Sequence, residues 1–195
     1  MKNVAPFSAA VFAGGASTRM GTDKAFLRLG NELLIERQLR CLHEAGAAEV
    51  LISGRAGVDY SRFSLNVVHD EPPNSGPLAG LIAVLKAATF KKTLILAVDM
   101  PAMTPAMLKK IVSLSEEDIG CVPFDGRGFE PLTAAYSKLL LPLAEEMLTA
   151  GRYSMQEFVT EAVERSLVQA LELEPAEQLS FINCNNPSEW AHFSS

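Results

Sequence analysis

Three short stretches of this 195-residue chain combine glycine, proline and charge in ways that phosphate chemistry could use. The first is Ala13-Gly14-Gly15-Ala16-Ser17-Thr18-Arg19-Met20-Gly21, directly after an apolar run and followed by Asp23-Lys24. Glycines without Cβ let backbone N–H groups converge on an anion, while Arg19 and Lys24 supply the charge to neutralise it. The loop matches neither G-x-x-x-x-G-K-[ST] nor G-x-G-x-x-G, which counts against a P-loop NTPase and an ordinary dinucleotide dehydrogenase. Its other reading is a plain tight turn.

The second stretch, Leu94-Ile95-Leu96-Ala97-Val98-Asp99-Met100-Pro101, is almost wholly apolar and ends in one carboxylate. A buried strand of this kind would deliver Asp99 to its C-terminal end, and Pro101 would hold Met100 extended and stop the strand. One hard oxygen ligand suits Mg²⁺, which keeps waters and shares substrate phosphates; Zn²⁺ or Ca²⁺ needs more protein ligands. Asp99 would also fit as a helix N-cap. The third stretch, Ser75-Gly76-Pro77-Leu78-Ala79-Gly80, follows Asp70. A rigid bend with two glycines lets a flat base approach exposed peptide groups, although an ordinary loop has the same composition.

Such residues need strands that end together. Phe7–Phe12, Glu49–Ile52, Leu65–His69, Thr93–Val98 and Ile119–Val122 have the short apolar character of strands in a covered parallel sheet. Between them, Leu33–Ala45 carries a helical stripe ending at Gly46, Leu78–Ala88 forms a second helix, and Thr104-Pro105 opens a third. The pattern predicts four βα units before residue 120. Beyond it, Asp125-Gly126-Arg127-Gly128 is a turn, and Pro131–Tyr136 returns as an antiparallel strand. Ser137–Leu148 and Ser154–Val163 read as helices, the second with a capping box Ser154…Glu157. Leu167–Leu173 and Leu179–Ile182 read as strands, and a last helix starts at Asn186-Pro187.

Composition narrows the class. The chain is 48% hydrophobic and 21% charged, as a folded soluble domain should be. Its net charge of -6 is uneven: residues 144–195 hold nine acidic and two basic side chains, so an anion site belongs in the front part. No basic stripe interleaved with aromatics is present, which excludes the footprint of a duplex-binding protein. Cys41, Cys121 and Cys184 lack metal or disulfide spacing and read as reduced, packed thiols of a cytoplasmic protein. Lys2 followed by apolar Val4–Ala13 imitates a leader, but Pro6, Ser8 and the glycine loop argue against one. No apolar run has the ~18 residues of a membrane span. His43, His69 and His192 have no partner ligands in sequence, and Ser17 and Ser53 have no paired base.

Together these stretches resemble the MobA-type molybdenum cofactor guanylyltransferases, within the wider Rossmann-like nucleotidyltransferase group. The resemblance runs through Phe12-Ala13-Gly14-Gly15, Ser17, Arg19-Met20-Gly21 and Asp23-Lys24, then Gly76-Pro77-Leu78-Ala79-Gly80 and Asp99-Met100-Pro101. It continues through Glu130-Pro131-Leu132 and Asn183-Cys184-Asn185-Asn186-Pro187, so it spans nearly the whole chain. It implies an α/β fold: a three-layer Rossmann-like nucleotidyltransferase whose mostly parallel sheet has helices on both faces and an antiparallel strand in the C-terminal part. Residues 1–195 would form a single domain, with 1–120 binding nucleotide and 121–195 binding the acceptor.

By the same resemblance, Phe12, Ala13, Gly14, Gly15, Lys24, Ser53, Asp70, Gly76, Pro77, Leu78, Gly80 and Asp99 would contact the nucleotide. Asp99 would hold Mg²⁺, and Arg19, Lys24 and Asp99 would carry catalysis. Glu130, Pro131, Asn183 and Asn185 would face the pterin acceptor. Phe12 replaces the family's leucine, Ser53 a common asparagine, and Glu130 a frequent histidine. The implied reaction moves GMP from GTP to the terminal phosphate of molybdopterin or its molybdenum form, releasing pyrophosphate. Cofactor-supplying proteins and apo-molybdoenzymes are the implied protein partners; nucleic acid and membrane are not. Two other readings stand beside it: a cytidylyltransferase or sugar- or alcohol-phosphate nucleotidyltransferase, and a non-catalytic cofactor escort.

Overall fold

The computed structural model describes residues 5–14, 24–71 and 75–183. Strand β1 (Ser8–Phe12) is followed, beyond a 3₁₀ turn at Lys24–Phe26, by a small hairpin of β2 (Arg28–Leu29) and β3 (Glu32–Leu33). Helix α1 (Leu34–Ala45) leads into β4 (Glu49–Ser53) and β5 (Asn66–Val68); α2 (Pro77–Ala87), β6 (Lys92–Ala97) and α3 (Pro105–Leu114) come next. The remainder is β7 (Gly120–Phe124), β8 (Thr133–Ser137), α4 (Leu141–Thr149), α5 (Met155–Glu164), β9 (Val168–Glu172) and α6 (Pro175–Gln178).

Seven strands form one sheet in the order β5-β4-β1-β6-β8-β7-β9. Strand β8 runs antiparallel to both neighbours, and the other adjacent pairs are parallel. Alternation along the strands sends side chains to two cores. Ala9, Val11, Ile52, Leu94 and Leu96 pack with Leu34, Ile35 and Leu42 of α1 and Leu108 and Ile111 of α3. Ala10, Phe12, Leu51 and Ile95 pack on the opposite face with Leu81 and Leu85 of α2, Leu143 of α4 and Phe158 of α5. Burial on both faces is why the strands are continuously apolar. The three-layer α/β architecture with one antiparallel strand late in the chain is the one expected.

Local signals account for the helix ends. Gly46 takes φ +95°, the left-handed region, and its N–H donates to the His43 carbonyl at 2.9 Å. Thr104 Oγ1 accepts the Met107 N–H at 3.2 Å and Pro105 occupies the first turn of α3. The N-cap of this helix is therefore Thr104, and Asp99 is left for another task.

Several expectations fail for identifiable reasons. Only a 3₁₀ turn, Ser61–Phe63, lies between β4 and β5, so three βα units precede residue 120 rather than four. Ser137–Leu148 begins as a 3₁₀ turn, with α4 starting at Leu141 and Pro142 in its first turn. Ser154 Oγ caps Glu157 N–H at 3.3 Å, but the Glu157 carboxylate faces Arg152 Nε at 3.4 Å, so only half of the capping box forms. Leu179–Ile182 is no strand: Leu179–Phe181 is a 3₁₀ turn, with Leu179 62% exposed and Phe181 7%, although a strand would put both on one face. The helix expected from Asn186-Pro187 lies outside the described residues. Among the described residues, no helix is long and apolar enough to cross a membrane.

Candidate active site

Strands β1, β4, β5 and β6 finish level, because Phe12 pairs with Ser53 and Ala97, and Ser53 pairs with Val68. Their backbones stay bonded one step further. Ala13 N–H donates to Ser53 carbonyl (2.9 Å), Val98 to Phe12 (3.1 Å), Gly54 to Val68 (2.9 Å) and Ala97 to Leu132 (2.7 Å). From β1 the chain moves outward through β4 to β5 and then returns to β6 on the other side. That reversal, at the carboxyl ends of parallel strands, is where open α/β sheets bind ligands. A cleft of about 420 Å³ opens there.

Lys24 and Asp99 form one wall of the cleft. Lys24 Nζ donates to Asp99 Oδ2 at 3.0 Å, with the two side chains 21% and 24% exposed. Beside them Gly14 is exposed, and among the described residues a Cβ there would have the backbone of Ser53, Gly54 and Arg55 as its nearest neighbours, at 3.8–3.9 Å. Among the described residues, the spacing around Gly14 leaves its backbone room for an incoming group.

The opposite wall is the start of α2. Gly76 takes φ +82° and ψ −176°, a conformation essentially restricted to glycine. It turns the chain into a helix whose N1 is Pro77, and Gly76, Pro77 and Gly80 line the cleft. Asp70 Oδ2 accepts the Ser75 N–H at 3.0 Å and so fixes where this helix begins. A Cβ on Gly80 would lie 3.2 Å from Ser53 Oγ and 3.5 Å from the Phe12 ring, so glycine lets α2 settle onto the strand ends.

The cleft thus brings together Phe12, Ala13, Gly14, Lys24, Ser53, Asp70, Gly76, Pro77, Gly80 and Asp99 from the sequence-derived set. Leu78, by contrast, is fully buried in the core under α2 and does not line the cleft. Glu130 and Pro131 adjoin Leu132, which lines the cleft at the β8 side. The Glu130 carboxyl is pushed up to about 7 by burial, and further by the negative charges of Asp125 and Asp99. The Pro131 carbonyl accepts from buried Tyr136 Oη at 2.7 Å. Asn183 is exposed and does not line the cleft. Gly15, Arg19 and Asn185 lie outside the described residues.

Arg55 also lines the cleft, though no motif announced it. Its guanidinium has no acidic partner among the described residues, while its backbone N–H donates to Tyr60 Oη at 3.3 Å. Its position immediately beyond a parallel strand was the available signal. The thiols stand apart from this chemistry: Cys41 and Cys121 are free and buried, and burial pushes Cys121 up to about 11.

Residues 9–172 match the family model described as the MobA-like NTP transferase domain. The chain belongs to that family. A protein from Opitutus terrae named "Probable molybdenum cofactor guanylyltransferase" is 40% identical over 190 residues, covering 96% of this chain and 94% of that one. A molybdenum cofactor guanylyltransferase from Xanthomonas euvesicatoria is 30% identical, with 95% and 93% coverage. The crystal structure of molybdopterin-guanine dinucleotide biosynthesis protein A from Archaeoglobus fulgidus superposes with a TM-score of 0.75 at 24% identity, covering 96% of each chain.

Proposed function

We propose that the chain is a molybdenum cofactor guanylyltransferase: it binds GTP in this cleft and transfers GMP to the terminal phosphate of molybdopterin or its molybdenum form. A phosphate oxygen of the acceptor bonds to the α-phosphorus while the bond to the bridging oxygen of the β-phosphate breaks, and pyrophosphate leaves. The attacking phosphate is already ionised near neutral pH, so no general base is needed. The observation that carries this reading is the convergence of the Gly14 backbone, Lys24 and Asp99 on one cleft, in a chain 40% identical to a protein named for this activity.

Each wall has a part in it. The Gly14 backbone and the Lys24 ammonium offset phosphate charge, and Arg19 and Gly15 are assigned the same work. Gly76, Pro77 and Gly80 at the start of α2 hold the base; Ser53 and Asp70 stand by the nucleoside. Asp99 would hold Mg²⁺. Among the described residues no three His, Cys, Asp or Glu side chains gather around a metal position, and a single carboxylate fits an ion that takes its remaining ligands from phosphate and water. When bound, Mg²⁺ would neutralise developing phosphoryl charge. Aligning the two substrates supplies the rest of the acceleration.

Residues 1–120 would thus carry the nucleotide part and 121–195 the acceptor part, with Glu130, Pro131, Asn183 and Asn185 toward the pterin. A cytoplasmic location and contact with cofactor-supplying proteins and apo-molybdoenzymes complete the reading. The test is transfer of label from [α-³²P]GTP to molybdopterin in the presence of Mg²⁺. A labelled dinucleotide that resists phosphatase supports it; label remaining in GTP overturns it.

A further inference from the structure

Asp99 sits on the segment between β6 and α3, where no regular structure fixes it, yet four polar contacts from α1 hold that segment. Arg37 Nε donates to the Pro101 carbonyl at 2.7 Å. Gln38 Nε2 donates to the Met100 carbonyl at 2.8 Å and approaches the Val98 carbonyl at 3.4 Å. Cys41 Sγ approaches the Met103 carbonyl at 3.7 Å. The two carbonyls reached by Gln38 belong to the residues on either side of Asp99. Helix α1 also packs on the turn that carries Lys24, so one helix braces both members of the Lys24–Asp99 pair.

Gln38 is an expensive way to fill its position. It is fully buried on the apolar stripe of α1, between Leu34 and Leu42, and its Oε1 has no hydrogen-bond partner among the described residues. A methionine would occupy similar volume without an unpaired buried oxygen. Turning the amide over would set that oxygen against two carbonyls, so the orientation is fixed by what Nε2 holds. The products of this costly placement are the contacts flanking Asp99.

We propose that Gln38 is a positioning residue for the metal-binding carboxylate: its amide fixes the Val98–Met100 backbone so that Asp99 is held ready for the cation. This rests on the assignment of Asp99 above. Partners that orient a ligand from behind commonly alter metal affinity or activity by about 10–100-fold when removed.

The experiment compares wild type, Gln38→Met and Asp99→Ala for Mn²⁺ binding in the presence of a non-hydrolysable GTP analogue, read by electron paramagnetic resonance, together with kcat, KM and thermal midpoint. Gln38→Met is expected to weaken Mn²⁺ by about 10-fold or more and lower kcat similarly. KM for GTP should stay within about threefold, and the thermal midpoint should be unchanged or higher, because the unpaired oxygen is gone. Mn²⁺ affinity and kcat within twofold of wild type, beside an Asp99→Ala variant that loses Mn²⁺, would overturn the proposal and leave the Asp99 assignment standing. Unchanged Mn²⁺ binding in Asp99→Ala would overturn that assignment and the proposal with it. Should Gln38→Met not fold, Arg37→Leu removes the adjacent Pro101 contact from a partly exposed side chain. It is expected to shift Mn²⁺ affinity in the same direction, and unchanged affinity there overturns the proposal.

Discussion

Lys24 Nζ lies 3.0 Å from Asp99 Oδ2, joining residues 75 positions apart on one wall of the cleft. Both side chains are about three-quarters buried or more, and neither is enclosed. In the proposed function, phosphate would take Lys24 and a metal ion Asp99.

Separate removal of the two groups should therefore cost turnover far more than stability. Asp99→Ala is expected to lower kcat by about 10²-fold or more, and Lys24→Ala by a similar factor, as for lost electrostatic stabilisation of a transition state. Because the residues act together, the double variant should fall well short of the product of the two losses. Steady-state kinetics on all three variants checks this, and near-normal turnover of Asp99→Ala would remove it from the chemistry.

Gly80→Ala should raise KM for GTP while leaving the fold intact. The added methyl would stand 3.2 Å from Ser53 Oγ and 3.5 Å from the Phe12 ring, so the Ser53 hydroxyl on the floor of the cleft must give by a few tenths of an ångström. Alanine itself favours helix by about 1 kcal/mol over glycine, which offsets part of the strain. Gly76→Ala has no such compensation, since φ +82° with ψ −176° costs a non-glycine residue about 1–3 kcal/mol. Calorimetric titration with a GTP analogue, beside thermal melts, separates the two effects; unaltered affinity in both would show that α2 does not position the nucleotide.

Arg55→Ala is expected to weaken GTP-analogue binding by about 10-fold or more, the scale of one lost charge-assisted hydrogen bond, with little change in thermal midpoint. Arg55 lines the cleft, and its guanidinium has no acid among the described residues to abandon. Unchanged affinity would reduce it to a surface cation.

Glu130 gives the apo protein a pH dependence. Burial raises its carboxyl to about 7, so between its ordinary value of 4.5 and about 7 the folded chain binds more protons than the unfolded chain. The stabilising contribution is complete below about 4.5 and is lost as pH rises through about 7. Glu130→Gln should accordingly gain stability relative to wild type from pH 5 to pH 8. Parallel melts across that range check it, and a constant difference would show that Glu130 titrates normally.

Much of this was legible in sequence because parallel strands buried on both faces leave little choice of residue: β1, β4 and β6 lie within two residues of their expected bounds. Thr104-Pro105 gave the start of α3, and that boundary freed Asp99 for the cleft. The hairpin β2–β3 escaped because each strand is two residues long and flanks Gly30-Asn31, too short for any alternation to register. Arg55 escaped because a lone arginine after a strand forms no motif, and only the sheet order shows which strand ends meet. Gln38 did leave a trace, as a polar residue on an otherwise apolar stripe, but what it holds is 60 or more residues away.

The most direct measurement is pyrophosphate release by the purified protein with Mg²⁺ and molybdenum-loaded molybdopterin, run in parallel with GTP and CTP. Release that requires both pterin and GTP, and is slower by an order of magnitude or more with CTP, is the expected result. Preference for CTP would overturn the assignment of the base, and no release with either nucleotide would contradict the proposed transfer itself.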